Sequence, residues 1–210
     1  MPGTIQVISL GPGAPEYILP VALNAIAEAE VIACGARHLE SFDAAGKETY
    51  IIGSEGMKLS EVVDALKAVY ETKKTAVVVS GDCGFYSLLR YLKTKFPPGC
   101  VTALPGISSL QYLFAKLAMP YQDAALLSLH GREQDLLGAL SRNPVVGMLT
   151  DDAHNAAWLG RLLLDHGYAN KVITVGEDLS YPEERITRLT PKEALTFAER
   201  GMSVMIVSNE

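Results

Sequence analysis

Short apolar runs of strand length alternate with helix-spaced patterns along nearly the whole chain. Strand-like runs fall at 4–10, 30–34, 48–52, 75–80 (TAVVVS), 100–104, 125–130, 145–150, 171–177 and 203–208. Between them, Leu59, Val62, Val63, Leu66, Val69 and Tyr70 recur at the spacing of one helix face. Trp158, Leu159, Leu162 and Leu163 do the same later in the chain. Short apolar strands joined by helices imply sheets covered on both faces. That requirement selects an α/β architecture with mainly parallel sheets.

A break in texture at AKLAMPYQDAALLSLHGR separates about five strands from about four. We therefore expect two αβα domains, 1–118 and 119–210, with a hinge near 116–123. The stretch GEDLSYPEERITRLTP reads as an irregular or antiparallel excursion before a last helix and strand.

Charge and cysteine usage narrow the function classes. The net charge of −6 opposes nucleic acid as a partner, because phosphate binding needs a basic face. No apolar run approaches the roughly 18 residues of a membrane span. The opening MPGTIQVISL lacks a basic segment ahead of a signal core, so no secretory leader is expected. Cys34, Cys83 and Cys100 are odd in number and lack C-x-x-C spacing, which suits reduced thiols in the cytoplasm. His38, His130, His154 and His166 show no metal-ligand spacing, and no metal is expected. His38 and His166 read as surface or packing residues. P-loop, hydrolase-elbow and zincin motifs do not occur.

Three strand-to-helix junctions carry small residues where ligands bind in open α/β sheets, outside the carboxyl ends of the strands. In the first, Gly11-Pro12-Gly13 follows Leu10, and Pro15 opens the helix. Proline removes a donor, so this rigid loop is a poor anion nest and a better wall for an uncharged or cationic ligand. A plain turn is the competing reading. The second junction is Ser80-Gly81-Asp82 followed by Cys83, Gly84 and Phe85. The Asp82 carboxylate could meet an ammonium, a sulfonium or ribose hydroxyls, or it could cap a helix. The third, Pro105-Gly106 with Ser108 and Ser109, offers hydroxyls and N–H groups at a helix start, or simple capping.

The second half holds further candidates. His130 and Arg132 flank a glycine at a strand end. Arg132 suits carboxylates through paired donors, and His130 could hydrogen-bond or move a proton; a capped helix start with an exposed arginine is the alternative. Leu149, Thr150 and Asp151 end another strand.

The segment ISLGPGAPEYIL resembles the V-G-x-G-P-G-D-P-E-Y-L-T pattern of the S-adenosylmethionine-dependent tetrapyrrole methylases. Gly81-Asp82-Cys83 is similar to that family's G-D-P loop, and Pro105 to Ser109 to its P-G-[V/I]-S-S helix start. The likeness covers essentially the whole chain. Departures are Cys83 for proline, Ala14 for aspartate and Leu19 for threonine; the first is expected to soften the loop that contacts the cofactor.

The resemblance implies the tetrapyrrole methylase fold, with a cleft between two domains that takes S-adenosyl-L-methionine and the macrocycle. It implies cofactor contacts from Leu10, Pro12, Gly13, Gly81, Asp82, Cys83, Gly84, Phe85, Ser108, Ser109, Leu149 and Thr150. His130 and Arg132 are the expected substrate contacts, and no general base is singled out. The stretch PGISSLQYLFAKLAMPYQDAALLSLHGR looks most like the members that methylate C5 of cobalt-precorrin-7, or of the metal-free precorrin, in cobalamin biosynthesis. A tetrapyrrole substrate, a homodimer and a decarboxylating C15-methyltransferase on a separate polypeptide are the partners this implies.

Methylation at another precorrin position and diphthamide-type methylation are the nearer alternatives. A non-catalytic tetrapyrrole or nucleoside carrier is the alternative from another class. A nicotinamide-dependent oxidoreductase is disfavoured, because the third glycine is missing and no acidic residue follows Ala33-Cys34.

Overall fold

The computed structural model describes residues 3–53 and 56–209. The chain divides into two compact units, 1–108 and 109–210.

In the first unit the strands are β1 (Ile5–Ser9), β2 (Val31–Gly35), β3 (Glu48–Ile52), β4 (Thr75–Val79) and β5 (Val101–Leu104). They form one sheet in the order β3-β2-β4-β1-β5, every pair parallel. Side chains alternate between the two faces of a strand, so each strand feeds two apolar layers. Ile5, Val7, Val31, Ala33, Val77 and Val79 pack with Val62, Val63 and Leu66 of α2 (Leu59–Val69). Ile8, Ile32, Cys34, Ala76 and Val78 pack with Ala22 and Ile26 of α1 (Pro20–Glu28). Pro15 does not open this helix: Pro15–Tyr17 forms a 3-10 turn, and Pro20 takes the first helical position, where a missing N–H costs nothing. The third helix is α3 (Leu89–Lys95). Because β1 lies between β4 and β5, the carboxyl ends of these three strands stand side by side. The three small-residue junctions follow those strand ends.

The second unit begins with α4 (Ser109–Lys116) and continues through β6 (Ala124–Ser128), α5 (Leu136–Arg142), β7 (Val145–Leu149) and α6 (Ala156–Asp165). It ends with β8 (Val172–Glu177), β9 (Arg185–Leu189), α7 (Pro191–Ala194) and β10 (Ser203–Ser208). Its sheet runs β6-β7-β10-β8-β9. Here the expectation of mainly parallel strands is corrected: β6 and β7 are parallel, whereas β7·β10, β10·β8 and β8·β9 are antiparallel. Part of the reason is chain length. Residues 178–184 between β8 and β9 are too few for the dozen or so that a parallel crossover needs. The excursion foreseen there is this antiparallel β9.

The unit boundary also differs from the expected 118/119, because α4 packs on the second sheet. Leu110, Leu113 and Phe114 are buried. They lie over two glycines that leave hollows on β7 and β8. A Cβ on Gly147 would stand 3.0 Å from the Phe114 ring and 3.4 Å from Leu110, and one on Gly176 would stand 3.0 Å from Leu113. On the other face, Val146, Met148, Ile173, Val175, Met205 and Val207 pack with Leu140, Leu159, Leu163 and Ala194. Among the described residues, no helix is long and apolar enough to cross a membrane.

Phe114 is 1% exposed, so Phe114→Ala should cost about 3–5 kcal/mol of second-unit stability. Chemical denaturation followed through Trp158, a second-unit residue and the chain's one tryptophan, measures that loss.

Candidate active site

The first-unit junctions interlock through their backbones. Gly11 N–H donates to the Gly81 carbonyl at 3.1 Å, and Gly81 N–H returns the bond at 2.7 Å. Both glycines have positive φ, 79° and 65°. Gly106 closes from the third loop, where a Cβ would meet Ser9 Cβ at 2.5 Å and the Gly81 carbonyl at 2.6 Å. A glycine there lets three loops share one floor.

Two side chains fasten this floor. Ser9, fully buried, donates from Oγ to the Leu104 carbonyl at 2.8 Å and accepts from Cys83 N–H at 2.8 Å. Asp82 accepts from Gly84 N–H through Oδ2 at 3.1 Å and from Gly106 N–H through Oδ1 at 3.2 Å. Asp82 is therefore not the N-cap of α3, a position that Leu88 holds; it ties the second junction to the third. A carboxylate has about four lone-pair sites, so two bonds leave Asp82, half-exposed, with acceptor capacity.

Pro12, Gly13, Gly81 and Phe85 are half-buried around this floor, Gly84 is exposed, and Phe85 meets the Tyr86 ring edge-on at 4.9 Å. Leu10, Cys83 and Ser108 are buried, so their side chains belong to the packing. The Cys83 thiol donates to the Leu104 carbonyl at 3.4 Å. Ser109 is the first residue of α4 and belongs to the second unit. Segments 9–13, 80–86 and 104–108 contain no lysine or arginine and one carboxylate. This donor set fits a ligand with hydroxyls and a positive centre, such as a nucleoside sulfonium, and does not fit a pyrophosphate.

A cluster beside this floor was not foreseen. After β2 the chain turns through a 3-10 segment, Ala36–Ser41, which brings His38 Nε2 to 2.7 Å from Ser80 Oγ. The Arg37 guanidinium donates to the same oxygen, also at 2.7 Å. Burial and then the Arg37 charge lower the His38 pKa to about 4, so the ring is neutral at neutral pH. Its Nδ1 is buried without a hydrogen-bond partner. His38 is thus half-buried against Ser80, with one ring nitrogen engaged and the other not. The pairing arises because β2 and β4 are sheet neighbours, and no local sequence signal reports that adjacency.

The second unit has its own rim at the carboxyl ends of the parallel pair β6 and β7. His130, exposed, holds Nδ1 at 3.1 Å from the Thr150 carbonyl. A carbonyl only accepts, so Nδ1 carries a proton in this contact. Thr150 Oγ1 donates to the Ser203 carbonyl at 2.8 Å, tying β7 to β10, and Leu149 is half-buried. Asp151 accepts from Gly131 N–H at 2.8 Å, which brings the His130–Arg132 turn against the end of β7. The backbone N–H groups of Gly131 and His154 hold the Asp151 carboxyl well below the usual carboxylate range. Arg132 is exposed on that turn.

Residues 4–195 match the model of the Tetrapyrrole (Corrin/Porphyrin) Methylases. The chain belongs to this family. It is 33% identical over 211 residues to the cobalt-precorrin-7 C(5)-methyltransferase of Salmonella typhimurium, spanning 98% of this chain and 99% of that one. The precorrin-6Y methylase structure from Archaeoglobus fulgidus matches with a TM-score of 0.77 at 21% identity, over 99% of each chain. The uroporphyrin-III C-methyl transferase of Thermus thermophilus, solved with S-adenosyl homocysteine, matches with a TM-score of 0.75 at 19% identity. That match spans 98% of this chain and 92% of that one. These two structures share the fold with this methylase.

The state of His38 has a consequence for stability. Its folded pKa lies below the unfolded value near 6.5, so the unfolded chain binds more protons between about pH 6.5 and 4. Its contribution is complete above pH 6.5 and is lost as pH falls towards 4, with a ceiling of about 3 kcal/mol. In thermal unfolding across this window, His38→Gln should lose less stability than wild type. Parallel curves would show that His38 carries no such linkage.

Proposed function

We propose that this methylase transfers a methyl group from S-adenosyl-L-methionine to C5 of cobalt-precorrin-7, or of the metal-free precorrin, in cobalamin biosynthesis. The observation that carries the reading is the end-to-end similarity to the Salmonella enzyme of that activity. When bound, the sulfonium supplies an electrophilic methyl group. The reduced macrocycle is electron-rich at its meso carbon and supplies the nucleophile, so the protein's main task is alignment. Correct orientation can contribute up to about 7–11 kcal/mol.

Each rim has a part in this reading. The Asp82 carboxylate accepts from ribose hydroxyls and favours the positive sulfur. Gly81, Gly84 and the Gly11-Pro12-Gly13 loop let the ligand approach the backbone, and Phe85 gives it an apolar wall. From the second unit, Arg132 pairs with an acetate or propionate of the macrocycle, and His130 Nε2 accepts a hydrogen bond. A homodimer and a cytoplasmic setting belong to the same reading and rest on the family.

Calorimetry should show S-adenosyl homocysteine binding at about −8 kcal/mol or better, and NAD giving no heat. Turnover of cobalt-precorrin-7 should place the new methyl on C5, read by NMR of the product. Failure to bind S-adenosyl homocysteine, or a methyl on another carbon, would falsify the assignment.

Two variants separate the rims. Asp82→Asn keeps one acceptor oxygen and loses the charge, so it should weaken S-adenosyl homocysteine binding more than it lowers the melting temperature. Arg132→Ala should leave that binding intact and raise KM for the tetrapyrrole about tenfold or more, since a charge-assisted hydrogen bond contributes roughly 1.5–3 kcal/mol.

A further inference from the structure

We propose that Ser80 and His38 form a proton relay that accepts the proton released from the methylated carbon, with Arg37 polarising the Ser80 hydroxyl. The proposal rests on the C5-methylation reading and adds a step that alignment alone does not supply.

The need for an acceptor follows from the electron count. C5 forms its bond to the methyl carbon as the methyl–sulfur bond breaks, and that bond's electron pair stays on sulfur. The macrocycle has then given two electrons to the new bond and is left cationic, with hydrogen and methyl both on C5. Conjugation returns when the C5–H bond breaks, giving its pair back to the ring and its proton to the protein. One methyl is gained and one proton is lost.

The arrangement at the end of β4 suits that second event. Ser80 is half-buried at a strand's carboxyl end, one residue before the loop floor. Arg37 donates to one lone pair of its Oγ, and in the relay the single Ser80 proton is given to His38 Nε2, the other group at 2.7 Å. As Oγ takes the proton from C5, its own proton passes to Nε2. His38 is neutral and ready to accept at neutral pH. The acceptor need not be strong, because a cationic, methylated meso carbon is a strong carbon acid. The same burial and Arg37 charge then drive the proton from Nε2 back through Ser80 Oγ to water once the product has left, which resets the pair.

Packing alone explains the cluster poorly. A buried ring nitrogen without a partner is a cost that an apolar side chain of similar shape would avoid. An arginine beside it opposes protonation, which a surface ion pair would not require.

The test uses Ser80→Ala and His38→Gln with cobalt-precorrin-7, protiated or deuterated at C5. If the relay operates, kcat falls about a hundredfold, the size typical of general base catalysis. A deuterium isotope effect on kcat appears that wild type lacks, and S-adenosyl homocysteine affinity is unchanged. Wild-type turnover in both variants overturns the relay. So does a loss of kcat with no isotope effect, or one matched by lost S-adenosyl homocysteine affinity, since either marks a structural role. If wild type itself leaves cobalt-precorrin-7 unmethylated, the C5 reading falls first and the relay falls with it.

Discussion

The close approach of three loops over Ser9 is the constraint on which the first unit's rim depends. Gly11 and Gly81 exchange backbone hydrogen bonds, and Gly106 leaves no room for a Cβ between Ser9 and the Gly81 carbonyl. Beneath them the buried Ser9 hydroxyl both donates and accepts. Leaving such a buried donor unpaired costs roughly 1–3 kcal/mol, and forcing a methyl group into a filled space costs about as much. The exposed ion pairs Lys67–Asp64, Lys74–Glu28 and Arg142–Asp135 are each in the range of about 0–1 kcal/mol. The rim's shape is therefore set by steric fit and buried hydrogen bonds, and surface charge contributes little.

The alternation of apolar runs with helical spacing places every strand found in the first unit to within a residue or so, most plainly β2 and β4, whose burial on both faces leaves an unbroken apolar signature. Two features of the second unit leave no such trace. The amphipathic pattern of α4 says that the helix has a buried face, but the sheet that receives it is chosen by Gly147 and Gly176, far along the chain. Strand direction is likewise invisible in residues such as Val204 to Val207, which would suit a parallel or an antiparallel neighbour equally. At the site, the small-residue junctions were legible because glycine and proline act locally. The Arg37, His38 and Ser80 cluster was not, because it joins residues that only the pairing of β2 with β4 makes neighbours.

The electrostatics of the rim agree with the chemistry of a ligand that has no phosphate. A nucleotide site presents a run of unpaired N–H groups at a helix start. Here the N–H groups of Gly11, Gly81, Cys83, Gly84 and Gly106 are all engaged by protein acceptors. Pro12 and Pro105 have none to offer. What remains is a carboxylate with free lone pairs and loop carbonyls, which favours hydroxyls and positive charge.

Cys83 makes the second loop tighter than its replacement of a proline suggests. The expectation was that losing the proline would soften the loop. Instead, Cys83 N–H donates to Ser9 Oγ, a bond that a proline at 83 could not make. Ser9 itself stands where the family pattern has a glycine, which has no hydroxyl to accept it. The two departures are therefore two halves of one interaction. Cys83 alone would leave a buried N–H without its acceptor, whereas Ser9 alone would keep only its bond to the Leu104 carbonyl. Together they exchange the stiffness of a proline ring for a buried hydrogen bond between the end of β1 and the loop after β4. The Cys83 thiol adds a second attachment, to the same Leu104 carbonyl that Ser9 holds. That carbonyl ends β5, so one pair of substitutions fixes the ends of all three strands from which the rim is built.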